Sequence, residues 1–252
     1  MALKFYKSVV LVFLCLGFMG CKEDPNSKPL IIGLSADYPP FEFMKNGNIS
    51  GFDVELAVLL GKELNREVEI KDMDFSSLIP ALQSGRIDLI LSSLSVTPER
   101  KKSIDFSESY YETEPALIFP TEKNYTSLEE LNLLPIGVQL GTTLEMFLKE
   151  KQGDKNAFTI IALSRIPELV AALNAGRVEA LLLEESQAQA LKKKNPSLSV
   201  LTLENAQTGY AIGLKKGSHL KEAVNKALEA LAASNALSDL KMKWIVWDGE
   251  GA

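Results

Sequence analysis

The sequence predicts an α/β protein that is divided into two lobes of similar topology. Strand-length apolar runs alternate with amphipathic helical segments along the chain, and this alternation is typical of the α/β class. An internal repeat indicates the two lobes: the motif Ala-Leu-x-x-Gly-Arg begins at Ala81 within residues 77–91 and again at Ala172 within residues 168–182. Each copy predicts an amphipathic helix, a glycine that ends it and a buried strand. The alternative is a chance likeness between two common helix–glycine–strand units.

The elements of the first half follow from local patterns. Residues 30–34 form an apolar run that predicts the first strand, and Asn46-Gly47 is a hairpin signal. Apolar residues at helical spacing predict a helix over residues 53–64. The next elements are a strand at 67–71, a helix at 75–83, a buried strand at 87–91 and an extended stretch at 110–120.

The second half continues the alternation. Short apolar runs bounded by polar residues, Gly or Pro predict strands, and longer amphipathic stretches predict helices. The predicted strands are 135–139, 159–162 and 180–183, with an extended stretch at 210–214. The predicted helices are 127–131, 142–151, 166–174, 185–194, 219–232 and 237–244.

The segment from Leu91 to Arg100 predicts a small anion site. Three serines follow the apolar strand: Ser92, Ser93 and Ser95. Thr97 and Pro98 then have the character of an N-cap and a first helical residue, which places Arg100 in the first turn. Ligands of α/β sheets lie at the carboxyl ends of strands, and a guanidinium matches a carboxylate bidentately. The segment therefore favours a small carboxylate ligand; the alternative is a solvated strand–helix turn with a surface arginine.

Composition excludes several other functions. The chain has 252 residues and a formal net charge of −6, and the absence of a basic face argues against nucleic-acid binding. The sequence contains no Walker loop, dinucleotide fingerprint, nucleophile elbow or metal-ligand cluster. Because His219 is the only histidine, catalysis by a Ser-His-Asp triad or by histidine-bound zinc is not expected. We expect no cofactor and no metal.

Several motifs in order resemble a known family. They are Tyr38-Pro-Pro-Phe-Glu-Phe43, Gly51-Phe-Asp-Val-Glu55, Gly85-Arg-Ile-Asp88, the Ser92 to Arg100 segment, Asp105-Phe-Ser107 and Gly137-Val-Gln-Leu-Gly-Thr-Thr143. The sequence resembles the polar amino-acid-binding proteins of bacterial ABC importers, the group that includes lysine/arginine/ornithine, histidine and glutamine binders. The resemblance implies a two-lobed periplasmic-binding-protein fold of type II, with two hinge crossovers and a closing motion. It places lobe 1 at residues 28–112 and 209–252, and lobe 2 at residues 113–208.

The resemblance also implies the roles of individual residues. Arg100 takes the α-carboxylate of the ligand, assisted by backbone N–H groups near Ser95 and Thr143. Ser93 and Glu184 take the α-ammonium. Tyr38 and Phe75 enclose the ligand side chain. The other expected ligand-binding residues are Ser35, Ser92, Gln139 and Thr142. Core packing is the alternative role for Phe75, and a solvated helix N-cap is the alternative for Glu184.

The ligand itself is predicted less directly. Binders of cationic amino acids often carry an acid at the position of Ser35, and Asp37 lies nearby with its orientation open. Gln139 is suited to reading a polar side chain instead. We expect arginine first and glutamine second, delivered to the membrane permease of an ABC importer by a monomeric binding protein. The alternative is an enzyme that resembles cyclohexadienyl dehydratases.

The N-terminus predicts export and attachment to lipid. Lys4 and Lys7 precede an apolar core at residues 8–19 that ends at Gly20-Cys21. Residues 1–20 resemble a bacterial lipoprotein signal peptide, after which Cys21 is acylated and residues 21–27 form a tether. We expect a lipid-anchored protein on the periplasmic side of a bacterial membrane; ordinary signal cleavage, giving a soluble periplasmic protein, is the alternative.

Overall fold

A computed structural model describes residues 28–152, 158–203 and 208–246. The predicted signal peptide, the tether and Cys21 lie outside these ranges. Within them the strands are β1 (Leu30–Leu34), β2 (Asp37–Tyr38), β3 (Glu42–Lys45), β4 (Asn48–Ser50), β5 (Val68–Asp72), β6 (Leu89–Ile90), β7 (Ile104–Thr113), β8 (Pro115–Pro120), β9 (Pro135–Gln139), β10 (Thr159–Leu163), β11 (Ala180–Glu184), β12 (Leu198–Thr202) and β13 (Thr208–Lys215). The α-helices are α1 (Phe52–Glu63), α2 (Leu78–Gln83), α3 (Pro98–Ser103), α4 (Thr143–Gln152), α5 (Ile166–Asn174), α6 (Glu185–Lys194), α7 (Leu220–Ala233) and α8 (Ala236–Lys241).

The described strands form two five-stranded sheets and one small sheet. The first large sheet has the order β5-β1-β6-β13-β7, and the second has the order β10-β9-β11-β8-β12. In the first sheet β1 pairs in parallel with β5 and β6, and in the second sheet β9 pairs in parallel with β10 and β11. Antiparallel pairing adds β13 and β7 to one side of the first sheet, and β8 and β12 to one side of the second. Helices contact both large sheets. The two sheets therefore share one topology.

The internal repeat corresponds to this shared topology. The first copy forms α2 and β6, and the second forms α5 and β11. Gly85 and Gly176 both have positive φ, of 74° and 64°, directly after their helices, which a glycine adopts without strain. The two copies therefore build the same helix–glycine–strand unit, one in each sheet, and chance likeness is excluded.

The chain passes between the sheets twice. β7 of the first sheet is followed by β8 of the second, with only Glu114 between them. The return passage lies between β12 and β13. The two passages lie side by side, because Thr208 and Gly209 of β13 pair with Thr113 and Glu112 of β7. The exact limits of the two lobes remain a prediction.

The small sheet supports one wall of the cleft between the lobes. It has the order β2-β3-β4, and its Asn46-Gly47 turn is the predicted hairpin. In the turn that links β2 to β3, the Pro40 and Phe41 carbonyls accept hydrogen bonds from the first N–H groups of α1, at 3.1 and 2.9 Å. These bonds satisfy donors that a helix start leaves unpaired, and they fix β2 and β3 against α1.

Several details differ from the sequence expectation. β12 was not predicted, since a short edge strand is stabilised by its pairing with β8 rather than by its own composition. β7 begins at Ile104, well before the predicted extended stretch. The predicted helix over 75–83 is a 3-10 turn, Phe75–Ser77, followed by α2, and Pro80 lacks the N–H that would join them. The last helix ends at Lys241 and continues as a π-helical turn, Met242–Val246.

None of the helices in the described ranges combines the length and the apolar character that crossing a membrane requires.

Candidate functional site

A cleft lies between the two sheets. Every one of the eleven predicted ligand-binding residues lines it: Ser35, Tyr38, Phe75, Ser92, Ser93, Ser95, Arg100, Gln139, Thr142, Thr143 and Glu184. Two acidic residues that were not assigned a role from the sequence, Asp37 and Glu42, line it as well. The structure therefore brings residues from distant parts of the chain to one place.

Arg100 is held in the cleft by the start of α3. Thr97 accepts a hydrogen bond from the Arg100 backbone N–H at 3.1 Å, which confirms the predicted N-cap. The buried guanidinium donates to the carbonyl of Ser95 at 2.8 Å and to that of Gly141, across the cleft, at 3.0 Å. It also lies 5.5 Å from the centre of the Phe75 ring, within cation–π range. Burial lowers the pKa of Arg100 to about 10, although Glu184 opposes this shift.

Glu184 faces the same space from the end of β11. Its side chain is buried, and its Oε2 atom has no hydrogen-bond partner among the described residues. Burial raises the pKa of Glu184 to about 7, while Arg100 acts in the opposite direction. An unpartnered buried carboxylate is costly unless a cation or donor satisfies it. A ligand with a negative group near Arg100 and a positive group near Glu184 would satisfy both residues.

The serines of the cleft are held by two acids whose importance the sequence analysis missed. Ser92 donates from its hydroxyl to Glu42 Oε1 at 2.7 Å and accepts from the Ser35 N–H at 3.0 Å. Ser93 has a φ of 47° and donates its backbone N–H to Asp53 Oδ2 at 2.8 Å. A non-glycine residue with positive φ is strained, and this bond helps to hold it. A usable signal was the placement of both acids beside phenylalanines in apolar segments.

Asp37 faces the cleft, an orientation that the sequence left open. Its Oδ1 atom accepts from the Ser35 hydroxyl at 3.1 Å, and its Oδ2 atom accepts from the Ile166 N–H at 2.9 Å. Ile166 is the first residue of α5 in the other sheet's layer, so a carboxylate from one side caps a helix on the other. Burial raises the pKa of Asp37, and the Ile166 N–H partly offsets this.

Arg165 adds an ion-pair contact across the cleft opening. Its Nε atom lies 2.7 Å from Asp74, and its NH1 atom lies 3.0 Å from Asp72. Both aspartates belong to the first sheet or its following turn, whereas Arg165 precedes α5. All three side chains are partly exposed, so each pair contributes at most about 1 kcal/mol. The contact is one of several that hold the two sides together.

On the side of the cleft formed by the second sheet, several polar groups are already bonded within the protein, so fewer of them can bind a ligand than the sequence suggested. The Gln139 amide donates to the Ser164 carbonyl at 3.2 Å, so one of its groups is already engaged. The Thr142 hydroxyl donates to the Gln139 carbonyl at 2.7 Å and accepts from the Glu145 N–H at 3.2 Å. Glu145 also accepts from the Gly141 N–H. Thr143 begins α4 as the resemblance implied, but part of this helix start is satisfied within the protein.

The two aromatic residues occupy different environments. Tyr38 is buried in β2 and contacts Phe41, with ring centres 6.3 Å apart. Phe75 is half-buried and packs partly against the core of its lobe, yet it also lines the cleft. Core packing and ligand contact are therefore not exclusive for Phe75.

The charges of the cleft are unbalanced. Among the described residues that line it, Arg100 is the one cation, and the acids are Asp37, Glu42 and Glu184. His219 lies elsewhere, exposed before α7. The cleft therefore favours a ligand that carries a net positive charge.

Comparisons with known proteins give the family. Residues 30–246 match the model of the bacterial extracellular solute-binding proteins, family 3. The arginine-binding extracellular protein ArtP of Bacillus subtilis (strain 168) is 39% identical over 225 residues, which cover 88% of this chain and 88% of that protein.

Two solved structures of ancestral arginine-binding proteins are also similar. The one bound to arginine is 35% identical, with a TM-score of 0.83, and covers 87% of this chain and 99% of its own. The one bound to glutamine is 35% identical, with a TM-score of 0.81, and covers 86% of this chain and 97% of its own.

These matches confirm the predicted two-lobed periplasmic-binding-protein fold of type II, because the similar structures have that fold over nearly their whole length. They also confirm the prediction of a binding protein rather than an enzyme, since the relatives are named as binding proteins. The chain belongs to the bacterial extracellular solute-binding proteins, family 3.

Proposed function

We propose that this protein captures a polar amino acid, arginine before glutamine, and delivers it to an ABC importer. The observation that carries the proposal is the charge arrangement of the cleft. Arg100 lines the cleft together with three acids, and Glu184 has a buried oxygen without a partner among the described residues. A zwitterion places its carboxylate at Arg100 and its ammonium near Glu184. A positive side chain then offsets part of the remaining negative charge.

The relatives support this ligand class. ArtP is named an arginine-binding protein, and the ancestral binding proteins have arginine in one structure and glutamine in the other. Asp37 and Glu42 supply the acidic groups that position 35 lacks. The preference of arginine over glutamine follows from these charges, because a neutral amide gains no ion-pair energy from them.

The dehydratase alternative is not favoured. Such an enzyme needs a general acid or base placed in the cleft. Glu184 has the raised pKa of a candidate, but it faces Arg100 in an arrangement that suits a zwitterion. Turnover of prephenate or arogenate by the purified protein would contradict the proposed function.

A thermal-shift screen tests the ligand. The chain without residues 1–20 is heated with each common amino acid, because a ligand that binds only the folded state raises the melting temperature. We expect the largest rise with L-arginine and a smaller one with L-glutamine. An unchanged melting temperature with every cationic amino acid would refute the proposal.

We further propose that the protein acts as a monomer anchored to a membrane through an acylated Cys21. The support is the N-terminal sequence alone, with its basic residues, apolar core and Gly20-Cys21. In cells, the wild-type protein should fractionate with membranes and Cys21→Ser should not. Equal membrane attachment of the two proteins would contradict the anchor, and a dimer mass in light scattering of the released domain would contradict the monomer.

A further inference from the structure

A pair of buried carboxyl groups lies in the wall of the cleft and has no part in the zwitterion clamp. Glu42 of β3 lines the cleft, and Asp53 is in the first turn of α1. Ser93 contacts both carboxyl groups: its backbone N–H donates to Asp53 Oδ2 at 2.8 Å, and its hydroxyl donates to Glu42 Oε2 at 3.5 Å. Asp53 Oδ2 also accepts from the Tyr110 hydroxyl at 3.0 Å. Both acids are at most 1% exposed, so water cannot screen their repulsion.

The surroundings favour one proton on the pair when no cation is near. Burial raises the pKa of Asp53 to about 6 and that of Glu42 well above its ordinary range. Asp53 Oδ1 has no hydrogen-bond partner among the described residues, and it can accept a proton carried by the Glu42 carboxyl. Two adjacent buried carboxylates cannot both ionise without a large electrostatic cost.

The surroundings of the pair are acidic or neutral. From β2, Asp37 adds to the raised pKa of Glu42. Burial raises the pKa of the Tyr38 phenol, and the charges of Glu184 and Glu42 raise it further. From β7, Tyr110 also lies near the pair: burial raises the pKa of its phenol, and the charges of Asp53 and Glu42 raise it further. The cation Lys194 of α6 lies over the ring of Phe43, whose side chain points to the opposite face of β3 from Glu42. Arg100, the cation that lines the cleft, acts to lower the pKa of Glu184, against the larger effect of burial.

We propose that the Glu42–Asp53 pair distinguishes cationic from neutral ligand side chains by releasing its shared proton when a cationic side chain enters the cleft. This inference rests on the proposed function. In the step, the O–H bond of Glu42 breaks, the proton goes to solvent, and Glu42 becomes a carboxylate. The ligand brings one positive charge as one leaves, so the charge of the site does not change.

The pair thereby has two forms. Its ionised form offers a carboxylate to a guanidinium or ammonium, and its protonated form offers a neutral wall to an amide. A neutral side chain leaves the proton in place and gains no charge pair. Because binding of a cationic ligand releases a proton, its affinity should rise as the pH increases toward the raised pKa of the pair.

Glu184 also has a raised pKa, so protons released from Glu184 on ligand binding must be distinguished from protons released by the Glu42–Asp53 pair. Every α-amino acid presents its ammonium to Glu184, so any proton released there is common to all ligands. The difference between a cationic ligand and its neutral isostere isolates the Glu42–Asp53 pair. L-arginine and L-citrulline form such a matched pair, since a urea replaces the guanidinium.

Calorimetry in two buffers of different ionisation enthalpy counts the protons released. We expect L-arginine to release up to about one proton more than L-citrulline from the wild-type protein. Equal release by the two ligands would overturn the inference while arginine binding itself, and so the proposed function, remained intact. An absence of heat with every cationic amino acid would instead refute the proposed function.

A variant comparison does not depend on measurable citrulline binding. Glu42→Gln keeps a donor toward Asp53 and an acceptor for Ser92 but carries no titrating proton. It should release fewer protons with L-arginine than the wild type and bind it roughly ten-fold or more weakly. The control Glu69→Gln removes an exposed acid that pairs with Lys71, and it should match the wild type. Wild-type proton release from a folded Glu42→Gln variant would overturn the inference.

Discussion

Replacing Arg100 with alanine should abolish detectable amino-acid binding. The ligand carboxylate would lose its charge partner inside a buried cleft, and the carbonyls of Ser95 and Gly141 would lose a shared donor. The expected loss is about 2–5 kcal/mol, roughly thirty-fold to several thousand-fold in affinity. Titration calorimetry with L-arginine measures it directly. Arg100→Lys should recover only part of the affinity, because an ammonium lacks the fork of the guanidinium.

The matched control for this variant is Arg86→Ala. Arg86 is exposed on the turn before β6, and its side chain donates to the Ser84 hydroxyl at 3.3 Å. The Arg86→Ala substitution removes the same charge from the same lobe, and Arg86 does not line the cleft. Its affinity for L-arginine should equal that of the wild type. Near wild-type affinity of Arg100→Ala would rule out the role assigned to Arg100.

Gly51→Ala should destabilise the protein more than any surface substitution. Gly51 precedes α1 with a φ of 134°, and an added Cβ would lie 2.1 Å from the Phe41 carbonyl oxygen and 2.9 Å from that of Pro40. Those carbonyls cap α1, so relief of the clash must break the caps. We expect a loss above about 3 kcal/mol in the free energy of unfolding. The turn also places Glu42, so arginine binding should weaken as well.

Gly85→Ala provides the comparison for backbone strain alone. Gly85 also has a positive φ, of 74°, but an added Cβ would meet no atom within 4 Å. The expected cost is about 1–2 kcal/mol. Denaturant melts of the two variants separate strain from clash. If both variants lost the same stability, the close packing of Gly51 against the Phe41 turn would not matter to the fold.

Much of the fold could be predicted because its patterns are local. The apolar runs of β1, β9 and β11, the Thr97-Pro98 helix start and the glycines of the repeat each depend on neighbours in sequence. Eleven of the residues that line the cleft were predicted because the motifs that carry them kept their order along the chain. β12 was missed because its stability comes from pairing with β8, which a local pattern does not contain.

The electrostatics of the cleft required the structure. Nothing in the sequence shows that Glu42 meets Asp53, since this depends on how the β2–β3 turn packs on α1. Likewise, the orientation of Asp37 depends on its bond to Ile166, far along the chain. Long-range pairing of this kind sets pKa values and hydrogen bonds, and it follows from the tertiary fold rather than from residue type.

The cleft should bind both backbone charges of a cationic amino acid, with the carboxylate at Arg100 and the ammonium near Glu184. Titration calorimetry of the wild-type protein with L-arginine and with agmatine, its decarboxylated form, tests this arrangement. Both ligands carry the same guanidinium, and only arginine offers a carboxylate to Arg100. We expect L-arginine to bind and agmatine to bind at least about thirty-fold more weakly. Equal affinity for the two compounds would contradict the assignment of Arg100 to the ligand carboxylate.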